Sequence, residues 1–252
     1  MDPNTGGTYT PPSAQRKTSP WIYVGCGCAV LLLICAIAAF FIGKKVVGEA
    51  HKIAEGMTNP RVAEERAREM LAYTSLPDGY QPAGAFSIPF VMDLAFLGDR
   101  PVNEGGRHSA GLNFEDHGFM FMKMKQGSLP ADEAARERIL NNTNSKGSWQ
   151  QGSGLTIQSE ETLGQGELTA GGTQVRYRAT RGQVQINNRS HQGITAFMLP
   201  ECPDNHLRIA IWFGRDPAPG ESSATLDKTG TPADPQAITA FLNHFNLCTG
   251  GT

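Results

Sequence analysis

The chain has 252 residues, 39% of them hydrophobic and 18% charged, with a formal net charge of -2. That balance excludes a wholly disordered chain and a continuous coiled coil. It also lacks the strongly basic surface that nucleic-acid binding demands, so nucleic acid is not an expected partner. From Ser75 onward 14 Lys and Arg stand against 18 Asp and Glu, so the excess of basic charge lies in the first 74 residues.

Residues 1–20, MDPNTGGTYTPPSAQRKTSP, hold Pro, Thr, Ser and Gly with little to bury, and are expected to be a disordered tail. The run WIYVGCGCAVLLLICAIAAFFI, Trp21 to Ile42, is 22 residues without a charge. At about 1.5 Å per residue a helix of that length reaches roughly 33 Å, enough for a hydrocarbon core of about 30 Å. Arg16 and Lys17 precede it, Lys44 and Lys45 follow it, and Trp21 and Tyr23 stand where interfacial aromatic rings prefer to lie. A single-pass transmembrane helix over 21–43 is therefore expected. Ala36-Ile37-Ala38 would suit a signal peptidase, but the Pro/Thr-rich lead is a poor n-region, which favours an uncleaved anchor. Basic residues at both ends keep the positive-inside rule from fixing an orientation. A short tail before a large C-terminal domain favours the domain outside the cytoplasm.

A juxtamembrane helical stalk is expected over 44–74. Gly56 and Asn59-Pro60 break it, with Asn59 as N-cap and Pro60 as first helical residue. Ala63, Ala67, Met70, Leu71 and Thr74 then share a helical face, and Glu64 and Arg68 form an i,i+4 pair on another. The stripe packs on its own domain or, in a homo-oligomer, on a twin helix. Pro77-Asp78-Gly79 is a turn signal that opens an α+β domain over 75–252. Ala85–Leu97 reads as one apolar strand with Pro89 at an edge or bulge. His117–Lys125 alternates, with Phe119 and Phe121 on one face and Met120, Met122 and Met124 on the other, as in a strand covered on both sides. Leu129–Leu140 reads as a helix, and the polar stretch Asn141–Gly154 as a loop. Leu155–Leu163, Thr173–Arg181, Gly193–Leu199 and Leu207–Phe213 add four strands. After a long loop over 214–233, Asp234-Pro235 starts a helix with Ile238, Phe241, Leu242 and Phe245 at i, i+3, i+4 and i+7. The expected fold is an antiparallel sheet of about six strands with helices packed on it.

Candidate chemistry is sparse. Cys202-Pro-Asp-Asn-His206 offers at most half of a zinc site, and its plainer reading is a turn before a strand. No Gly-x-Ser-x-Gly elbow or P-loop is present, so no catalytic, cofactor or metal residue is assigned. Cys26, Cys28 and Cys35 fall in the apolar run; Cys202 and Cys248 fall in the domain as a candidate disulfide, or as two unrelated small buried residues. Arg176 and Arg178 alternate with Val175, Tyr177 and Ala179 and so share one strand face, with Arg181 and Gln174 nearby. Arg208 joins them if its strand is a neighbour. Such a stripe is a candidate contact for lipid phosphates or an acidic partner. Its plainer reading is a solvated face that pairs with Glu160, Glu161 or Glu167 and blunts a sheet edge.

The stretch VAEERAREMLAYTSLPDGYQPAGAFSI, followed by FMFMKM, VRYRATRG, GITAFML, LRIAIWFG and a closing helix, resembles a group of uncharacterised bacterial single-pass membrane-anchored proteins. The order of elements is also similar to PsbP/Mog1-like sandwiches, which are mainly accessory and binding proteins. The resemblance assigns no site residues; with catalytic motifs lacking, the leading expectation is a membrane-tethered, non-enzymatic binding or accessory domain of the cell envelope, with a protein, lipid or cell-wall partner. The alternatives are an extracytoplasmic enzyme whose site assembles in the fold, from His117, His191, Glu115 or Glu201, and an assembly or sensor component that self-associates through the stalk.

Overall fold

The computed structural model describes residues 55–100, 114–125, 133–142, 148–151, 155–186, 189–204 and 206–248. The expected tail, the transmembrane helix and the stalk as far as residue 54 lie outside the described residues. The chain divides into two compact units, 1–48 and 49–252, and every described residue belongs to the second. Among the described residues no helix is long and apolar enough to cross a membrane.

In chain order the elements are α1 (Pro60–Leu71), β1 (Gln81–Ile88), β2 (Met92–Gly98), β3 (Gly118–Met124), α2 (Glu133–Asn142), β4 (Ser148–Gln151), β5 (Leu155–Ala170), β6 (Thr173–Ile186), β7 (Arg189–Glu201), β8 (Arg208–Arg215) and α3 (Pro235–Leu242). The strands form one sheet in the order β1-β2-β3-β8-β7-β6-β5-β4. Every pairing is antiparallel. The chain meanders through β1, β2 and β3, crosses to the far edge by way of α2, and meanders back until β8 lies beside β3.

Local chemistry sets the helix ends. The Asn59 side chain accepts from the Arg61 backbone N–H at 3.1 Å and Pro60 takes the first helical position. Ala72, with φ 47°, then ends α1 while its N–H donates to the Arg68 carbonyl at 2.8 Å. Asp234 caps α3 in the same way, accepting from the Gln236 N–H at 2.9 Å. Each cap satisfies a donor that the helix cannot, worth about 1 kcal/mol.

The sheet is covered on both faces. On one, α1 contributes Ala67, Met70 and Leu71, and α3 contributes Ile238, Phe241 and Leu242, to a core with Phe119, Phe121, Tyr177, Met198 and Trp212. Phe241 stacks on Trp212 with centroids 4.6 Å apart, and Phe245 stacks on Phe119 at 5.2 Å. The Trp212 indole N–H donates to the Tyr80 hydroxyl at 2.6 Å, and burial raises the Tyr80 phenol well above its ordinary range. The α1 stripe is thus occupied by its own sheet. The other face gathers Phe96, Met120, Ile157, Phe197, Ile211 and Phe213, with Leu140 of α2 packed against them.

The sheet has eight strands, not about six. The apolar stretch 85–97 is a hairpin: β1 and β2 pair from Gln81↔Gly98 to Ile88↔Met92, and the chain reverses through Pro89, Phe90 and Val91. Phe90 makes this turn with φ 64°, a left-handed conformation in which a bulky side chain crowds its own backbone. The second addition lies within the stretch expected to be a loop. There β4 pairs with Leu155–Gln158 at the sheet edge, from Ser148↔Gln158 to Gln151↔Leu155.

Candidate functional site: a cleft at Arg178

Arg176 and Arg178 do share a face of β6, and that face is not open to solvent. Their exposures are 8% and 7%, because α2 lies across the sheet above them. The spacing of α2 decides what each arginine meets. Glu133 and Glu137, one helical turn apart, both reach Arg176. Its Nη1 pairs with Glu133 Oε1 while Nη2 donates to Glu133 Oε2 at 3.0 Å, and its Nε lies 3.0 Å from Glu201 Oε1 on β7. The hydrogen-bonded Glu133 holds the Arg176 guanidinium above its ordinary pKa.

Arg178 has different neighbours. Nη2 donates to the Thr162 hydroxyl at 2.7 Å and Nη1 to the Leu140 carbonyl at 3.4 Å, near the negative end of the α2 dipole. Nε is buried and finds no acceptor, and among the described residues no carboxylate pairs with this side chain. Burial accordingly pushes its pKa down. Arg178 forms part of a cleft of about 320 Å³ between Glu137 and Leu140 of α2, Gln165–Glu167 of β5 and Arg176–Arg178 of β6. Gln165 is the cross-strand partner of Arg178. A guanidinium with an unused N–H beside an amide can receive a carboxylate or a phosphate ester. Glu137 and Glu167 in the same lining repel a polyanion, so the cleft suits one anionic group carried on a polar ligand.

Arg208 does not join this pair. Its register partner is Lys123, and its strand is separated from β6 by β7, with the side chain on the opposite face of the sheet. It is 1% exposed and grips Asp204 through two hydrogen bonds of 2.5 and 2.6 Å, with a further donation to the Cys248 carbonyl at 3.3 Å. That grip holds the Asp204 carboxyl far below the usual carboxylate range. Arg181 is likewise buried: Nε donates to Asp216 Oδ2 at 2.5 Å, and its other nitrogens donate to the Ala218 and Glu221 carbonyls. The expectation of a solvated stripe is therefore corrected. The four arginines are buried, and the carboxylates that form ion pairs with them are Glu133, Glu137, Glu201, Asp204 and Asp216 in place of Glu160, Glu161 and Glu167.

Cys202 and Cys248 form a disulfide with Cα atoms 5.4 Å apart. Cys202 opens the turn before β8, so the Cys-Pro-Asp-Asn-His sequence serves the bridge and the Asp204–Arg208 pair. Among the described residues no cluster of His, Cys, Asp and Glu could hold a metal. Glu201 stands apart from the other residues of the enzymatic alternative. Glu201 sits with Arg176, while His191 lies ten residues away on the same strand, about 33 Å along it. His117 contacts the Gly79 carbonyl and packs its ring on Tyr80 at 4.7 Å, and Glu115 pairs with Arg100.

Sequence reasoning missed Glu133, Glu137, Thr162 and Gln165 as neighbours of the arginines. A usable signal was present in the i,i+4 carboxylates of α2, whose spacing matches a basic strand beneath. No family model matches the chain, and no curated protein sequence matches it.

Proposed function

We propose that this chain is a membrane-tethered, non-enzymatic binding or accessory protein of the bacterial cell envelope, whose domain holds a ligand by one anionic group in the Arg178 cleft. The observation that carries this reading is Arg178 itself: a buried guanidinium with no carboxylate partner among the described residues, where Arg176, Arg181 and Arg208 each have one. A buried charge costs several kcal/mol unless it is paired, and a bound carboxylate or phosphate ester would supply the missing partner. The apolar run at 21–42 supports the tether. The Cys202–Cys248 bridge supports an oxidising, extracytoplasmic setting for the domain. Helices on both faces of the sheet are in keeping with the likeness to PsbP/Mog1-like sandwiches.

The test uses the full chain in mild detergent, incubated with an extract of its own envelope. An anionic lipid, cell-wall or peptide component retained by the wild type and lost with Arg178→Gln supports the reading. Equal retention by Arg178→Gln refutes the site, and turnover of any substrate in a broad hydrolase screen refutes the non-enzymatic role.

A further inference from the structure

Phe90 and Val91, at the apex of the β1–β2 turn, are the exposed large hydrophobic residues of the described domain, at 80% and 38% exposure. They belong to five successive apolar residues, Ile88 to Met92. Phe90 also holds a left-handed backbone at φ 64°, where Gly or Asn would fit without strain. A turn that keeps a strained aromatic ring in water stabilises neither the hairpin nor the core. Strain of this kind is found where function requires the side chain.

The chain from the expected anchor enters the domain beside this same hairpin. The Gly56 backbone lies so close to β1 that a Cβ there would collide with the Ala85 carbonyl oxygen. Ile88, the last residue of β1, is three residues beyond Ala85, about 10 Å along the strand, and the turn with Phe90 follows it. Twelve residues lie between Ile42 and Glu55, and the thirteen steps from one to the other can span at most about 45 Å. Beside the turn, the charges of Asp93 and Lys125 are paired with each other and so do not resist a low dielectric. Lys125 Nζ lies 2.9 Å from Asp93 Oδ1, and Ser87 bonds to both. Two side chains on a convex apex are far short of the roughly 800 Å² per partner that a stable protein interface buries. They suit a fluid interfacial layer, which closes around a wedge of any shape.

We propose that the β1–β2 turn, with Phe90 at its apex and Val91 beside it, inserts into the interfacial layer of the bilayer that anchors the chain. This inference rests on the tether reading above. It gives the domain a second membrane contact, which fixes its orientation over the surface.

The experiment places the photo-reactive residue p-benzoylphenylalanine at position 90, at 91, or at the exposed control position 224 in the loop over the far edge of the sheet. The full chain is irradiated in its native membrane. Burying a phenylalanine is worth about 1.5–3 kcal/mol, so phospholipid adducts at 90 are expected at least about ten times as often as at 224. Adducts to a protein at 90 and 91, or lipid adducts no more frequent than at 224, overturn the inference. Position 91 keeps the test decisive if the substitution at 90 perturbs the turn. Alkaline carbonate extraction of the same membranes separates the two readings. A chain that resists extraction but gives no lipid adduct refutes the insertion alone. A chain that is extracted yet gives lipid adducts at 90 refutes the tether and leaves the insertion standing.

Discussion

Removing the Cys202–Cys248 bridge should cost the domain about 4 kcal/mol, and the structure says where that loss is felt. The bridge closes a loop with a sequence separation of 46. For that length the loop-closure entropy is about 13 to 14 cal/mol/K, or roughly 4 kcal/mol at 25 °C. What it ties down is the segment after α3, which seals the core beneath α1. Phe245 stacks on Phe119, Leu247 is 4% exposed, and the Asn246 N–H donates to the Leu71 carbonyl at 2.9 Å. Cys248 also accepts from Arg208, so the bridge stands next to a buried ion pair. The comparison is the wild-type full chain against Cys202→Ala/Cys248→Ala, unfolded by urea in mild detergent and followed by the fluorescence of the buried Trp212. The variant should unfold at lower urea with a steeper slope, because the uncrosslinked denatured chain exposes more surface. A loss below about 1 kcal/mol with unchanged slope would contradict this account. Two free thiols in the non-reduced wild type, read by mass spectrometry, would remove its premise and the support for an oxidising compartment with it.

The backbone at Phe90 predicts an inverted order of variants. Phe90→Ala keeps the left-handed cost of about 1–2 kcal/mol, whereas Phe90→Gly sheds it against about 0.5–1 kcal/mol of chain entropy. Glycine should therefore be the more stable by roughly 0.5–1 kcal/mol, about 1–4 °C in Tm, and a more stable alanine variant sinks the claim. Arg178→Met should leave thermal stability within about 1 kcal/mol of wild type or raise it, since it removes a buried charge that has no carboxylate partner among the described residues. Arg176→Met should lower it by about 1 kcal/mol, because Glu133, Glu137 and Glu201 are left facing one another; equal effects would deny the difference between the two arginines. Two pH windows follow from proton linkage. Arg208 depresses the folded Asp204 pKa, so the unfolded chain takes up that proton first. This stability is complete above about pH 4 and lost below it, and Asp204→Asn should flatten urea midpoints measured from pH 4 to 2. Burial and Arg215 depress the His191 pKa, so stability should also fall as pH drops below about 6.5, by at most about 1.4 kcal/mol per unit. His191→Gln should abolish that slope, and an unchanged slope points to another group.

Elements were legible where burial imposes a period. In β3, Phe119 and Phe121 enter one core and Met120 the other, as the alternation requires. In α3, Ile238, Phe241 and Leu242 are buried at the spacing of a helical face, with Phe245 continuing it. The β1–β2 hairpin was not legible because its turn is written in core residues. Ile88 to Met92 contains no Gly, Asn or Asp, and the left-handed position falls on a phenylalanine. The edge strand β4 is hidden for the opposite reason. Ser148–Gln151 reads as polar loop, and only its pairing with Leu155–Gln158 makes it a strand. The adjacency of β3 and β8 joins segments more than eighty residues apart, and nothing local encodes it.

The arginines show how a correct periodicity can support a wrong inference. Alternation rightly puts Arg176 and Arg178 on one face, but on this sheet polarity does not mean exposure. A helix that carries its own carboxylates reverses that rule, since it covers both cations and answers the charge of Arg176. Arg208 falls on the other face because strand parity across an intervening β7 depends on register, and a shift of one residue exchanges the two faces. The distinction that matters for function is finer still. Along α2, Glu133 and Glu137 present carboxylates to Arg176, while three residues further on Leu140 offers Arg178 only a backbone carbonyl. That change of one functional group separates an arginine whose charge is already answered from one that still requires an anion, and it is this second arginine that marks the cleft as a place for a ligand.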